Sequence, residues 1–154
     1  GDNTDDNTIV DPEPEGETKT VKLYFANQEY ILTGDESLDA IISVERQVKI
    51  KDRPIEEVIL EELQNEPEEE ELTTIVEKVE VLSAEIAENT AYVNLSGENL
   101  HGGSLEESLI LQQIVFSLTE LEDVDRVQFL VDGSKRDSLM GHISIEEPLE
   151  RPDI

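Results

Sequence analysis

The sequence predicts an α+β fold: a single compact domain in which a mixed or antiparallel sheet of about four to five strands carries two main helices on one face. Three observations support this. "VKLYF", "AYVNL" and "RVQFLV" alternate apolar and polar residues with period two, the mark of half-buried strands. "PIEEVILEEL" and "LEESLILQQIVFSLTEL" repeat apolar residues every three to four positions, the mark of helices packed on a core. The order strands, helix, hairpin, helix, strand within 154 residues suits one core and is short for two.

Residues 1–19 hold seven carboxylates, two prolines and only two aliphatic residues. They bury too little apolar surface to offset the entropy of ordering and read as a disordered acidic tether. The polar start, Gly1 followed by "DNTDDNT", is expected to follow a signal or lipid-anchor segment. The domain proper is read over residues 20–150, with 151–154 as a tail.

The first strand begins at Val21, with Val21, Leu23 and Phe25 on one face. Gly34 and Asp35 signal a turn in "QEYILTGDESL". Ala40, Ile42, Val44, Val48 and Ile50 keep period two, broken only by Arg46, so a strand is expected over about 41–50. In "RPIEEVILEELQNEP", Pro54 suits the first helical position, Ile55, Val58, Ile59, Leu60 and Leu63 form the stripe, and Pro67 is the expected stop. Residues 78–95 read as two strands joined near Glu88, Asn89 and Thr90. The first slips by one so that Leu82, Ala84 and Ile86 share a face, which implies a β-bulge. The second places Ala91, Val93 and Leu95 inward.

In "SGENLHGGSLEES", Gly102 and Gly103 permit a turn, Ser104 is read as the N-cap and Glu107 as its capping-box partner. Leu105, Leu109, Leu111, Ile114, Val115, Leu118 and Leu121 then form the buried side of a helix of about five turns. Val127, Phe129 and Val131 mark the last strong strand. "MGHISI" is expected as a short edge strand, and residues 146–154 as a surface wrap.

Eleven Lys and Arg oppose 39 Asp and Glu, a formal net charge of −28. Such a field repels nucleic acid and anionic lipid and favours basic proteins and divalent cations. There is no cysteine, hence no disulfide or thiolate chemistry, and no apolar run approaches a membrane span. Six aromatics and no tryptophan give poor material for a sugar platform.

Catalytic readings are weak. Ser104 follows His101 by three residues, but there is no G-x-S-x-G elbow and no partner for the imidazole. The glycine pair lacks the Walker lysine, and Glu106 and Glu107 would repel a phosphate. His101 and His142 fall into no zinc-ligand spacing. "LEDVDRV" lacks the glycine and distal glutamate of an EF-hand. No catalytic, metal or cofactor residue is therefore assigned, although weak calcium or magnesium binding by the 66–71 acidic bloc is compatible with its charge density. A pocket holding either histidine beside a carboxylate would indicate a hydrolase.

Four islands, "VKLYFAN", "VERQVKI" with the helix ending "ELQNEP", "AYVNLSGENL", and "GSLEESLILQQIVFSLTEL" running on to "VQFLVDG", together resemble the GerM domain family of sporulation and spore germination proteins. The chain departs from the family pattern at Glu66-Pro67, where a Gly-Pro pair is usual, and at "ELTTIVEKVE", where a proline-glycine turn is expected. The resemblance implies a compact α+β fold similar to ring-building modules and an exported, lipid- or membrane-anchored protein on the extracytoplasmic face. It also implies contacts with other envelope or sporulation proteins, with no enzymatic activity, and it is compatible with a homo-oligomer. The membrane would be reached only through a preceding tether. The expected contact surface is the first main helix, at Glu57 and Glu61, together with the Lys135-Arg136 turn. The alternative is a module for a divalent cation or small ligand at the cell surface.

Overall fold

The computed structural model describes residues 17–154. Most of the acidic tether, residues 1–16, lies outside the described residues, and the chain is already in a strand by Thr18. The elements run β1 (Thr18–Asn27), α1 (Gln28–Thr33), β2 (Ile41–Lys49), α2 (Ile55–Leu63), β3 (Leu72–Thr73), a 3₁₀ turn (Val76–Lys78), β4 (Val81–Ala87), β5 (Thr90–Leu95), α3 (Ser104–Leu118), β6 (Arg126–Val131) and a final 3₁₀ turn (Arg151–Asp153). The fold is α+β with one core, as expected, but its strands divide between two three-stranded sheets. One has the order β2-β1-β3 and the other β4-β5-β6.

Sheet one is antiparallel. β1 pairs with β2 along Thr18–Ala26 and with β3 only at Ala26 and Asn27. Val21, Leu23 and Phe25 are buried on its inner face. On β2, Arg46 takes an inward-side position between Val44 and Val48. It stays there because its guanidinium packs 6.0 Å from the Phe25 ring centroid and bonds Glu69 at 2.6 Å. The turn signal at Gly34 proved to be the end of a short helix: Asn27 caps α1 by accepting from the Glu29 amide, and Gly34 closes it with φ 68°.

In sheet two, β4 and β5 form a hairpin around Glu88 and Asn89, with φ of 52° and 63°, the pair of positive values that a two-residue hairpin turn requires. The predicted bulge lies between Val81 and Ser83. Its extra residue is Leu82, which is 47% exposed and does not share the Ala84 face. β5 and β6 are parallel, joined through α3. "MGHISI" makes no strand. It holds a single bridge, Ser138 to Ser144, while Leu149 bridges Val127 at the outer edge of β6.

α2 starts after Pro54, which is the N-cap and not the first helical residue, and it ends at Leu63, short of Pro67. The C-cap Gln64 reaches across to donate to the Val79 carbonyl. Val58, Ile59, Leu60 and Leu63 are buried, and the helix contacts β1, β4 and α3.

α3 is the central element. Leu109, Leu111, Ile114, Val115 and Leu118 are buried as expected, whereas Leu105 is 41% exposed in the first turn. Two polar residues one turn apart, Gln113 and Ser117, are completely buried. Ser117 Oγ accepts from the Tyr24 amide at 2.9 Å, and Gln113 Nε2 donates to the Tyr24 carbonyl at 3.0 Å. Gln113 Oε1 accepts from the Ile75 amide at 2.9 Å. The helix thus takes the place of a neighbouring strand at Tyr24 and satisfies backbone groups that would otherwise be buried without partners.

The last residues do more than wrap. Arg151 donates to Thr119 Oγ1, the Phe116 carbonyl and Glu120, with its guanidinium 4.8 Å from the Phe116 ring centroid. The 151–154 segment is thereby joined to the end of α3.

Replacing Gln113 with Leu keeps the volume but strands the Tyr24 carbonyl and the Ile75 amide. The expected loss is about 2–4 kcal/mol of unfolding free energy, read by urea denaturation.

Candidate functional site

The surface expected from the sequence centres on α2. Glu57 and Glu61 are one turn apart on its exposed side, and both face Arg53, which the sequence reading left out. Arg53 lies 2.7 Å from Glu61 and 3.8 Å from Glu57. Beside them runs an open groove of about 280 Å³ between α2 and β4, lined by Arg53, Glu57, Leu60, Glu61 and Gln64 on one side and residues 81–84 on the other. Because of the bulge, Leu82 presents an exposed apolar side chain at the groove, with the Arg53 carboxylate pairs on the facing helix.

Lys135 and Arg136 follow a tight turn at Asp132 and Gly133, with φ of 51° and 84°. The turn is pinned from both sides: Asn94 accepts from the Gly133 amide at 2.8 Å, and Asp132 accepts from the Gly97 amide at 3.0 Å. Both basic side chains are exposed, and Arg136 reaches the Leu139 carbonyl at 3.4 Å. Among the described residues no hydrogen bond or ion pair joins this turn to Glu57 or Glu61, and neither Lys135 nor Arg136 lines the groove beside them.

The loop before α3 is structural. The N-cap is Gly103 and Ser104 is already helical. The return half of the capping box comes from Glu106, which accepts from the Gly103 amide at 3.3 Å. Glu106 also pairs with Lys78, and that contact holds its carboxyl below the usual range.

Glu107 has a different task. It is fully buried and accepts from the amides of Leu139 at 3.1 Å, Met140 at 2.9 Å and His142 at 2.9 Å. One carboxylate therefore fastens the 139–142 loop to the first turn of α3. The His142 ring nitrogen Nε2 lies 3.2 Å from the Gly102 carbonyl. Among the described residues, neither His101 nor His142 has a hydrogen bond from its ring to a carboxylate or to Ser104.

Glu56, on the first turn of α2, is 8% exposed. Burial pushes its carboxyl above the ordinary range, and the neighbouring carboxylates of Glu57, Asp123 and Glu85 push the same way. Elsewhere the acids are relieved by cations: Arg46 lowers Glu69, and Arg151 lowers Glu120 while Tyr24 donates to it at 2.8 Å. In the 66–71 bloc, Glu66 accepts from Thr73 and Glu69 is held by Arg46. Among the described residues, no group of three or more His, Asp or Glu side chains converges as a metal site would need, and no helix is long and apolar enough to cross a membrane.

These features define a small α+β domain whose candidate contacts are open surfaces: a helix–strand groove with an apolar residue at its edge and a separate basic turn. The chain belongs to the Germane family, described as sporulation and spore germination, whose sequence profile matches residues 22–137. Solved structures share the fold. The first GerMN domain of the sporulation protein GerM from Bacillus subtilis matches with a TM-score of 0.69 at 19% identity, over 88% of this chain and 99% of that one. The tandem GerMN domains of the same protein match with a TM-score of 0.67 at 19% identity, over 95% of this chain and 50% of that one, so this chain spans half of the tandem pair. A candidate lipoprotein from Clostridium perfringens matches with a TM-score of 0.56 at 21% identity, over 94% and 95% of the two chains. No curated protein sequence matches.

Two outcomes are expected from the buried carboxylates. Glu107→Ala leaves three amides without an acceptor and should cost about 3 kcal/mol or more in urea unfolding, with faster amide exchange at residues 139–142. Glu56→Gln should act in the opposite direction. A carboxyl whose folded pKa is raised binds more protons folded than unfolded, so it lowers stability as pH rises from the unfolded value through the folded one. The substitution should raise the melting temperature at pH 7, and the gain should shrink as pH falls toward 4.

Proposed function

We propose that this is a non-enzymatic, envelope-anchored protein-interaction domain that supports assembly of a sporulation or germination complex. The observation that carries this reading is the α2–β4 groove. A half-exposed leucine on a bulged strand faces a helix bearing the Arg53, Glu57 and Glu61 ion pairs, which is an apolar anchor with a charged rim. The Lys135-Arg136 turn supplies a second, basic contact point. Family membership and the likeness to a candidate lipoprotein support placement on the extracytoplasmic face through a lipid anchor.

The charge of −28 sets partner choice. Two copies of this chain repel one another at long range, so the favoured partners are other envelope or sporulation proteins with basic faces, and a homo-oligomer would need such a face to bridge it.

The test is charge reversal. The double variant Glu57→Lys, Glu61→Lys removes only exposed ion pairs, so its melting temperature should stay within about 3 °C of the parent. Co-purification of the anchored protein with envelope partners should fall severalfold. A collapse of the thermal transition would show that these residues serve packing, and unchanged co-purification would overturn this surface.

A further inference from the structure

Among the described residues, the edge of β1 opposite β2 is only partly covered. Strand parity decides which backbone groups point there. The Tyr24 amide and carbonyl bond α3, and Ala26 pairs with β3, so even-numbered residues of β1 direct their backbone groups away from β2. Asn27 confirms the alternation, since its amide bonds Ala40 on the β2 side. Thr20 and Lys22 therefore present two N–H and two C=O groups on the outer edge, and among the described residues these have no partner. Both residues are exposed.

The space beside them is a cleft of about 200 Å³ between β1 and the end of α3. Its apolar part is formed by Val21, Ile59 and Leu121, and its polar rim by Lys22, Glu45 and Glu120. The cleft ends at Tyr24, where Ser117 and Gln113 already occupy the edge.

We propose that this cleft is a strand-addition site that takes a short, extended, basic segment of a partner protein. Two or three residues pair through their backbone with Thr20 and Lys22, and an alternate small apolar side chain rests on Val21, Ile59 and Leu121. Charge selects the occupant. The rim carries Glu45, Glu120 and Lys22, with Glu120 already paired to Arg151, and Glu122 and Asp123 follow Leu121 directly in a chain of net charge −28. A second copy of this chain brings the same excess of carboxylates and is disfavoured. The inference shares with the reading above the premise that the domain binds protein, but it uses a different surface.

The probe is the peptide acetyl-Lys-Val-Arg-Val-Lys-Val-amide, titrated into the ¹⁵N-labelled full chain. Four backbone hydrogen bonds and one small apolar contact give an expected dissociation constant on the order of 0.1–1 mM. Amide exchange at Thr20 and Lys22 should slow on binding. Two versions N-methylated at alternate residues keep the charge. The one blocked on the pairing side should bind about tenfold more weakly and the other should bind like the parent. The all-glutamate counterpart should not bind. Thr20→Pro removes an outward donor at a position where an edge strand tolerates proline, and it should abolish binding with the thermal transition kept. If that variant fails to fold, the N-methylated pair decides.

The proposal is overturned by equal binding of both N-methylated peptides, by binding of the acidic one, or by protection that maps elsewhere. It is also overturned by Thr20 and Lys22 amides that are already protected in the free protein, or by a concentration-dependent dimer that protects them. Peptide binding should survive Glu57→Lys, Glu61→Lys, so failure here and failure of the α2 surface are read separately.

Discussion

The structure depends on how α3 meets β1. A strand flanked fully on one side and barely on the other leaves backbone groups that must find partners or water. At Tyr24 they are met by side chains, Ser117 and Gln113, placed one helical turn apart so that both address one residue of the strand. Gln113 spends its remaining capacity on Ile75 and Thr74, which fixes the segment between α2 and β4. Because α3 also links β5 to β6, the bonds at Tyr24 hold sheet one against sheet two. The ring contact of Tyr24 with Phe116 and the Arg151 guanidinium over that ring extend the junction to the end of the chain.

Acidity on this scale has a structural cost, and the fold handles it locally. Arg46, Lys78 and Arg151 each stand against a carboxylate that would otherwise crowd its neighbours, and Arg53 serves two. Glu107 has no cation and is held by three amides, a solution that ties a loop to a helix where an ion pair would only neutralise a charge. Glu56 has no cation beside it, and burial raises its carboxyl above the ordinary range despite a bond to its own backbone amide. The cations are few, and most are committed to holding the fold. Lys135, like Lys49 and Lys51, lies on the surface without such a partner among the described residues.

Much of the fold was legible because its signals are local. Val21, Leu23 and Phe25, the hairpin at Glu88 and Asn89, the α2 stripe and the buried face of α3 follow from period and turn chemistry alone. The misreadings also share a cause. Alternation puts Leu82 on one face with Ala84 and Ile86, but it does not say which residue a bulge ejects. Ser104 suits the cap by its hydroxyl alone. The cap falls one residue earlier, at Gly103, whose amide is met by Glu106, and Glu107 is drawn inward by a loop more than thirty residues away. The candidate surface was half legible: Glu57 and Glu61 share a helix face, but the groove beside them comes from a distant strand.

By itself the sequence determined the fold class, the family, the strand and helix faces, and a net charge of −28. These properties are set by residues within a turn or two of one another, or by simple sums. Only the tertiary structure decided that the strands split into two sheets, that Glu107 is a buried fastener and Glu57 is paired, and that one edge of β1 is closed at Tyr24 and, among the described residues, open at Thr20 and Lys22. Each of those outcomes is a hydrogen bond or its absence between groups far apart in the chain. Such partners are chosen by packing, and no local pattern encodes them.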